Sequence, residues 1–277
     1  MKEISPYGQT QGLLLLQAVV EEFGPIFTLK EARSTARKLD IKTERVVQDL
    51  SSLASGKWIS RLKRGLYVAQ SPLFVGEIHP LAIATALIQP SAISHWSAFS
   101  HHGMTTQIPH MIQVSTPKKV VTPEMRQSRA FRPRERSVWR VLDIEVEFIQ
   151  VKRGHFFGFD QEWVSEWHRV SITDRERTLL DMVVYPRIFG GLNVAMEVLE
   201  TQMINLDLVR LVNYLLRYDR GSIIKRVGWM LETLGVSESI LKPLMDYKVQ
   251  NDYLLDPQRS CVGERVRRWR IINNLIY

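Results

Sequence analysis

The sequence has one cysteine among its 277 residues, Cys261, and no long apolar run. A single cysteine forms no internal disulfide and builds no zinc site by itself. The most apolar stretch, residues 13–20, is interrupted by Gln17 and is shorter than the roughly 18 residues that a membrane helix needs. The first residues also lack the pattern of a secretory signal peptide. These absences predict a cytoplasmic protein that has no membrane partner.

The motifs of the common enzyme classes are missing as well. There is no phosphate-binding glycine loop, no serine nucleophile elbow, no paired-histidine zinc motif and no dinucleotide fingerprint. Gly221-Ser222 is not followed by the paired aspartates of a nucleotidyltransferase. The five histidines between residues 79 and 110 have no cysteine or carboxylate nearby to complete a metal site, which favours a packing role. We therefore expect no enzyme activity, no metal and no cofactor.

Positive charge is present in excess and is unevenly distributed. The chain carries 37 Lys and Arg against 29 Asp and Glu, a net charge of +8. Residues 1–70 have a net charge of +4, residues 118–140 of +6 and residues 259–270 of +4, which leaves the remainder at −6. Such clustering makes a polyanion the first partner to consider.

The first seventy residues have the pattern of three helices and a hairpin. Apolar residues recur at helical spacing from Leu13 until Gly24-Pro25 stops the first helix. Thr28 and Glu31 fit a capping box that starts a second helix, with Leu29, Ala32, Ala36 and Leu39 as its apolar stripe. A third helix is predicted from about Thr43, with a polar tip at Gly65 between two short strands after it. This order is typical of a winged helix-turn-helix.

On this interpretation the third helix enters the DNA major groove and the hairpin holds phosphates. The candidate DNA-binding residues on the helix are Thr43, Arg45, Gln48 and Ser52. Those on the wing are Lys57, Arg61, Lys63 and Arg64. The alternative is a small helical domain for protein contact, with its charges merely solvated.

After a short linker at residues 70–72 the pattern becomes mixed. Helices are predicted for 80–87 and 94–102, and strands for 111–115 and 144–151. Further helices are predicted for 173–185, 191–202, 206–217 and 222–234, with a short one before 249 and a strand within 262–272. We therefore expect an α+β fold with a winged-helix domain at 1–70 and a larger, helix-rich mixed domain at 73–277.

Two features of this larger part allow more than one interpretation. The segment 117–140 reads as an exposed loop or edge strand, and its arginines form a possible second contact for a polyanion or partner, or else a solvated face. These arginines are Arg126, Arg129, Arg132, Arg134, Arg136 and Arg140. Asp174 and Asp181 share one side of a predicted helix and could serve a metal-dependent nuclease. A structural role is favoured, with Asp174 at the helix N-terminus and Asp181 accepting from a neighbouring arginine or amide.

Three segments resemble the AbiEi-like antitoxins and transcriptional regulators of AbiE-type toxin–antitoxin systems. They are the wing Arg61 to Val68, the run from His79-Pro80 through Ser91–Ser94 and His102-Gly103-Met104 to Pro109, and Thr173 to Asp181. The likeness spans roughly residues 10–235 and depends on the order of the motifs.

This resemblance implies a repressor that binds inverted repeats upstream of its own operon, linked to phage defence. It also implies that the domain at 73–277 counteracts a separately encoded toxin of the nucleotidyltransferase type. The main rival is a transcription factor that responds to a small ligand and has no toxin partner.

Overall fold

The computed structural model describes residues 11–70, 78–127 and 137–275, and it confirms the α+β expectation. The chain divides into two compact units. The first contains the described residues up to Pro90 together with Trp139–Glu145 and Gln161–Val170, and the second contains the rest. This division differs from the predicted boundary at 70–73, because the helix at Pro80–Leu87 is grouped with the first unit.

In the first unit, short helices cover a small antiparallel sheet. The helices are α1 (Gln11–Phe23), α2 (Leu29–Lys38), α3 (Val46–Ser55) and α4 (Pro80–Leu87). The strands are β1 (Ile26–Thr28), β2 (Ile59–Lys63) and β3 (Leu66–Ala69), with β3 in the centre. The predicted capping box is confirmed: Thr28 Oγ1 accepts from the Glu31 amide, and the Glu31 carboxylate accepts from the Thr28 amide. It begins α2 immediately after β1 ends.

The apolar stripes of α1, α2 and α3 meet in one core. Val46, Leu50 and Leu53 are buried, as the sequence predicts for α3. They pack with Leu16 and Val20 of α1 and with residues of α2 and the sheet. Leu39 was expected in the stripe of α2, but it is 43% exposed, because the helix ends at Lys38. The core fixes which face of α3 points outward.

A six-stranded mixed sheet follows in the chain. Its strands are β4 (Ala92–Ile93), β5 (Ile112–Thr116), β6 (Ser137–Val141), β7 (Ile144–Gln150), β8 (Phe159–Trp163) and β9 (Arg169–Thr173). Their order is β6-β7-β5-β4-β9-β8. The polar segment 117–140 contains the short helix α6 (Pro123–Gln127) and the edge strand β6. Strands β1, β4, β8 and β9 were not predicted. β1 and β4 have only three and two residues, and β8 lacks a clear apolar alternation. In β9, Val170 and Ile172 alternate with polar residues, which is a strand signal that sequence reasoning missed.

Helices form most of the second unit. They are α5 (His95–His101), α7 (Arg175–Val184), α8 (Leu192–Gln202), α9 (Leu208–Tyr218), α10 (Gly221–Thr233) and α11 (Glu238–Asp246). A small sheet of β10 (Tyr253–Leu254), β11 (Glu264–Val266) and β12 (Ile271–Asn273) completes the unit. Within the described ranges, no helix has both the length and the apolar character that crossing a bilayer requires.

Candidate nucleic-acid interface

A tight turn connects α2 to α3. Asp40 adopts a left-handed conformation with a φ of 58°, and the Ile41 amide donates to the Ala36 carbonyl at 2.8 Å. The sequence placed the start of the third helix near Thr43, but α3 begins at Val46. Thr43 and Arg45 therefore lie in the turn that leads into α3. There the Thr43 hydroxyl donates to the Glu44 carboxylate instead of capping the helix.

The outward face of α3 is built mainly from small polar side chains. Gln48, Ser51, Ser52 and Ser55 are exposed, and they follow the exposed Arg45. Val47 is exposed among them at 47%. Gln48 and Ser52 thus lie where the sequence places them. The sequence missed Val47 and Ser51, although the spacing from the buried Val46 and Leu50 identifies both as outward positions.

The hairpin of β2 and β3 projects a basic tip. Gly65 has a φ of +76°, as a tight hairpin loop requires, and its carbonyl accepts from the Leu29 amide at 2.9 Å. Arg61 pairs in register with Tyr67, and Arg61 and Arg64 are both exposed. Lys57, also exposed, lies in the turn between α3 and β2. All three cations are exposed to a phosphate, although Arg61 Nε also donates to the Lys63 carbonyl at 3.4 Å.

Lys63 differs from the other candidate cations of the hairpin. Its ammonium donates to the carbonyl of Leu87, the last residue of α4, and its side chain is only half-exposed. The carbonyls of the last helical turn have no partner within the helix, so a cation is a favourable partner for them. Lys63 therefore has an intramolecular role that the sequence did not indicate, and a phosphate would share its ammonium with α4.

A cleft of about 450 Å³ lies beside α3, at the start of α1. Arg45, Asp49 and Ser52 line it together with Trp58. The Asp49 carboxylate oxygen Oδ2 is enclosed there and has no hydrogen-bond partner among the described residues. Its negative charge therefore lies in the same cleft as Arg45 and Ser52.

Exposed cations also lie on the elements that contact α3 in the first unit. Arg33, Arg37, Lys42 and Arg45 accompany the exposed hairpin cations. Lys38, in contrast, pairs with Glu22 of α1. The positive side chains therefore lie on α2, on the turn before α3 and on the hairpin, which is the distribution expected of a surface for a polyanion.

The other two basic stretches contribute less to such a surface. Arg126 is exposed on α6, and Arg140 pairs with Glu145 at 2.7 Å. Arg129, Arg132, Arg134 and Arg136 lie outside the described residues. In the stretch 259–270, four arginines face carboxylates, which neutralises much of the charge excess counted from the sequence. These pairs are Arg259–Asp256, Arg265–Asp252, Arg270–Asp252 and Arg268 with Glu232 and Glu238.

Asp174 and Asp181 have structural partners in the second unit. Asp174 caps α7 by accepting from the Arg177 amide at 2.7 Å, and it accepts from the Tyr214 hydroxyl at 2.6 Å. Asp181 accepts from the Arg177 guanidinium at 3.0 Å, and both side chains are almost fully buried. The prediction that Asp181 accepts from a neighbouring arginine is confirmed.

The histidines of this unit also make packing contacts. His102 bonds through Nε2 to the Thr173 carbonyl at 2.6 Å, and His95 bonds through Nδ1 to Ser94 Oγ at 2.8 Å. Burial lowers the pKa of the His95 imidazole. Among the residues that the structure describes, no group of three or more potential ligand side chains comes together around a metal position.

Comparison with known proteins finds a similarity in fold. No protein-family model and no curated protein matches the sequence. Among solved structures, the crystal structure of the RV2827C protein from Mycobacterium tuberculosis is similar to this chain, with a TM-score of 0.56 and 14% identity. The match covers 95% of this chain and 92% of that chain. At this identity the likeness concerns the fold alone.

Proposed function

We propose that this protein binds double-stranded operator DNA through α3 and the β2–β3 hairpin, in the manner of a winged helix-turn-helix, and represses its own operon. The observation that carries the proposal is the outward face of α3. It presents amide, hydroxyl and guanidinium groups, and further exposed cations lie on α2, in the turn before α3 and on the hairpin. Such groups donate and accept hydrogen bonds at base edges, and flanking cations hold phosphates.

Arg45 and Gln48 are the residues proposed to read bases. A guanidinium donates to two acceptors of guanine, and a glutamine amide pairs with adenine. Arg45→Ala is expected to cost about 1–3 kcal/mol at one operator position and to relax specificity there. The measurement is a binding titration of the full-length chain with promoter duplex and with random duplex at the same salt concentration. An equal loss on both duplexes would show that Arg45 reads no base.

Arg64 is the clearest test of a phosphate contact, because its side chain is exposed and has no acceptor in the described part of the chain. Arg64→Ala should weaken binding to every sequence and reduce the slope of log K against log salt by about 0.9. Lys63→Ala is the comparison variant. It is also expected to weaken binding, but it removes the bond to the Leu87 carbonyl as well. If the slope of log K against log salt is unchanged in Arg64→Ala, the hairpin tip makes no phosphate contact.

The second part of the proposal concerns antitoxin action. We propose that residues 73–277 counteract a toxin of the nucleotidyltransferase type, and the support for this is the resemblance of the three sequence segments described above. The DNA-binding and antitoxin functions would then use different parts of the chain. A change on α3 is therefore expected to separate them.

The test places the full-length chain and the neighbouring gene under separate inducible promoters. Wild-type chain should restore growth and repress a reporter behind its own promoter. The Arg45→Ala/Gln48→Ala variant should lose repression and keep the rescue of growth, because both changes lie outside residues 73–277. A neighbouring gene that is harmless, or whose toxicity the chain leaves unchanged, would refute the antitoxin function and favour a ligand-responsive regulator.

A further inference from the structure

Val47 is an apolar side chain at a solvent-exposed position of α3. Val47 is 47% exposed, next to Gln48 and four residues before Ser51 on the same helix face. Valine has a lower helix propensity than most residues, and its side chain here adds nothing to the core that Val46 and Leu50 form. Neither local helix preference nor packing therefore explains an apolar side chain at this position.

The surroundings of Val47 point to one kind of partner. Exposed apolar residues are common when scattered singly. Val47, however, is the second residue of α3, and the first turns of a recognition helix are those that reach base edges. Arg45 precedes it, and the flanking exposed side chains are polar or cationic. This combination does not match a protein interface core, from which charged residues are depleted.

We infer that Val47 contacts the 5-methyl group of a thymine in the major groove, so that each bound half-site contains a thymine opposite this residue. The thymine methyl is the apolar group that the major groove displays, and small aliphatic side chains recognise it. The inference rests on the proposed function, because it assigns sequence preference to the same helix face. It adds a hydrophobic contact to the hydrogen bonds assigned to Arg45 and Gln48.

Replacement of single thymines by deoxyuridine tests this contact, since it removes only the methyl group. The full-length chain is first footprinted on its promoter, and each thymine in the protected half-sites is then replaced in turn. Binding is measured by fluorescence anisotropy at constant salt. One position per half-site should weaken binding about fourfold, which corresponds to about 0.8 kcal/mol for one buried methyl group.

The matching protein variant is Val47→Ala. It should bind natural promoter DNA more weakly than wild type. It should also show a smaller loss than wild type at the sensitive deoxyuridine position, because the two Cγ methyl groups that reach the thymine are gone. Leu14→Ala, at a residue 45% exposed on α1, is the control and should keep the deoxyuridine penalty. Thermal unfolding is expected to be unchanged in Val47→Ala, since alanine is the better helix former.

The outcomes separate the inference from the function on which it rests. Binding that tolerates deoxyuridine at every position would overturn the thymine contact and leave DNA binding intact. A penalty that persists in Val47→Ala would show that the methyl acts through DNA shape or another residue, and it would also overturn the inference. Failure of wild-type chain to bind its promoter at low salt would overturn both.

Discussion

The buried pair Arg177–Asp181 of α7 supplies a sharp test of the structural account. Arg177 Nε and Nη2 each lie 3.0 Å from Asp181 Oδ1, and Nη1 donates to the carbonyls of His155 at 2.6 Å and Phe157 at 3.0 Å. The guanidinium also lies 4.7 Å from the centre of the Phe157 ring. One buried cation thus serves one carboxylate oxygen and two carbonyls, while the other oxygen, Asp181 Oδ2, is buried and has no hydrogen-bond partner among the described residues.

Arg177→Met keeps most of the side-chain volume but removes every one of these donors. An unpaired buried carboxylate costs about 3–5 kcal/mol, and each buried carbonyl that loses its donor adds about 1–3 kcal/mol. Relaxation and proton uptake by Asp181 reduce the total, so we expect a loss of about 5 kcal/mol. That is comparable to the entire stability of many domains. Arg177→Met should therefore be largely unfolded, or should unfold at a much lower urea concentration than wild type.

A double variant provides the decisive comparison. Arg177→Met/Asp181→Leu removes the unpaired charge and should be more stable than Arg177→Met alone, because apolar residues often replace a buried ion pair without loss. The measurement is urea unfolding followed by circular dichroism at pH 7, with midpoints compared at equal m-value. A loss below 1 kcal/mol in Arg177→Met, or a double variant less stable than that single variant, would refute the reasoning. If the protein cleaves nucleic acid in a metal-dependent reaction, and Asp181→Asn abolishes this cleavage without loss of stability, the result would support the nuclease alternative.

Three further predictions concern stability, and each is checked by the same urea titration. Gly228→Ala should lower the stability by about 3 kcal/mol, because the new Cβ would lie 2.1 Å from the buried ring of Trp269. Gly12→Ala in α1 has room for its Cβ and should raise the stability by about 0.5–1 kcal/mol. Equal effects of the two substitutions would exclude the clash with Trp269. Thr28→Ala removes the capping box of α2 and should cost about 1 kcal/mol, so a neutral result would assign no stability to that cap. Burial lowers the pKa of His95, so the unfolded chain binds a proton at a higher pH than the folded chain does. The free energy of unfolding should therefore fall as the pH drops below about 6.5, by at most about 1.4 kcal/mol per pH unit. His95→Asn, which tolerates the φ of 53°, should reduce this dependence of stability on pH, and an unchanged dependence would assign it to other groups.

Local features of the first unit could be predicted well. The capping box of Thr28 and Glu31 and the positive φ of Gly65 depend on residues within four positions of one another. Burial of Val46, Leu50 and Leu53 follows from helical spacing alone. The outward direction of Gln48 and Ser52 on α3 followed from the same spacing, and with it most of the candidate interface.

Other features depended on which segments come together. The three-residue strand β1 forms because β3 supplies its hydrogen-bond partners, and its own pattern gives no signal. Lys63 looks like any other wing cation until α4 brings the Leu87 carbonyl to it. The arginines of 259–270 read as a positive patch, but their carboxylate partners at 232–256 lie partly on distant elements. Pairing between such segments is decided by packing.

Sequence patterns were enough to predict the capping box of α2, the buried stripe of α3 and its polar face, because hydrogen bonding and apolar spacing within a few residues fix these features. The tertiary structure alone decided which charges remain available to a partner. Burial and long-range pairing occupy Lys63, enclose one oxygen of Asp49 and neutralise the arginines near the C-terminus, and they leave Arg45, Arg61 and Arg64 exposed. A charge with an internal partner must share or lose that contact when it binds a phosphate, whereas an exposed charge without one does not.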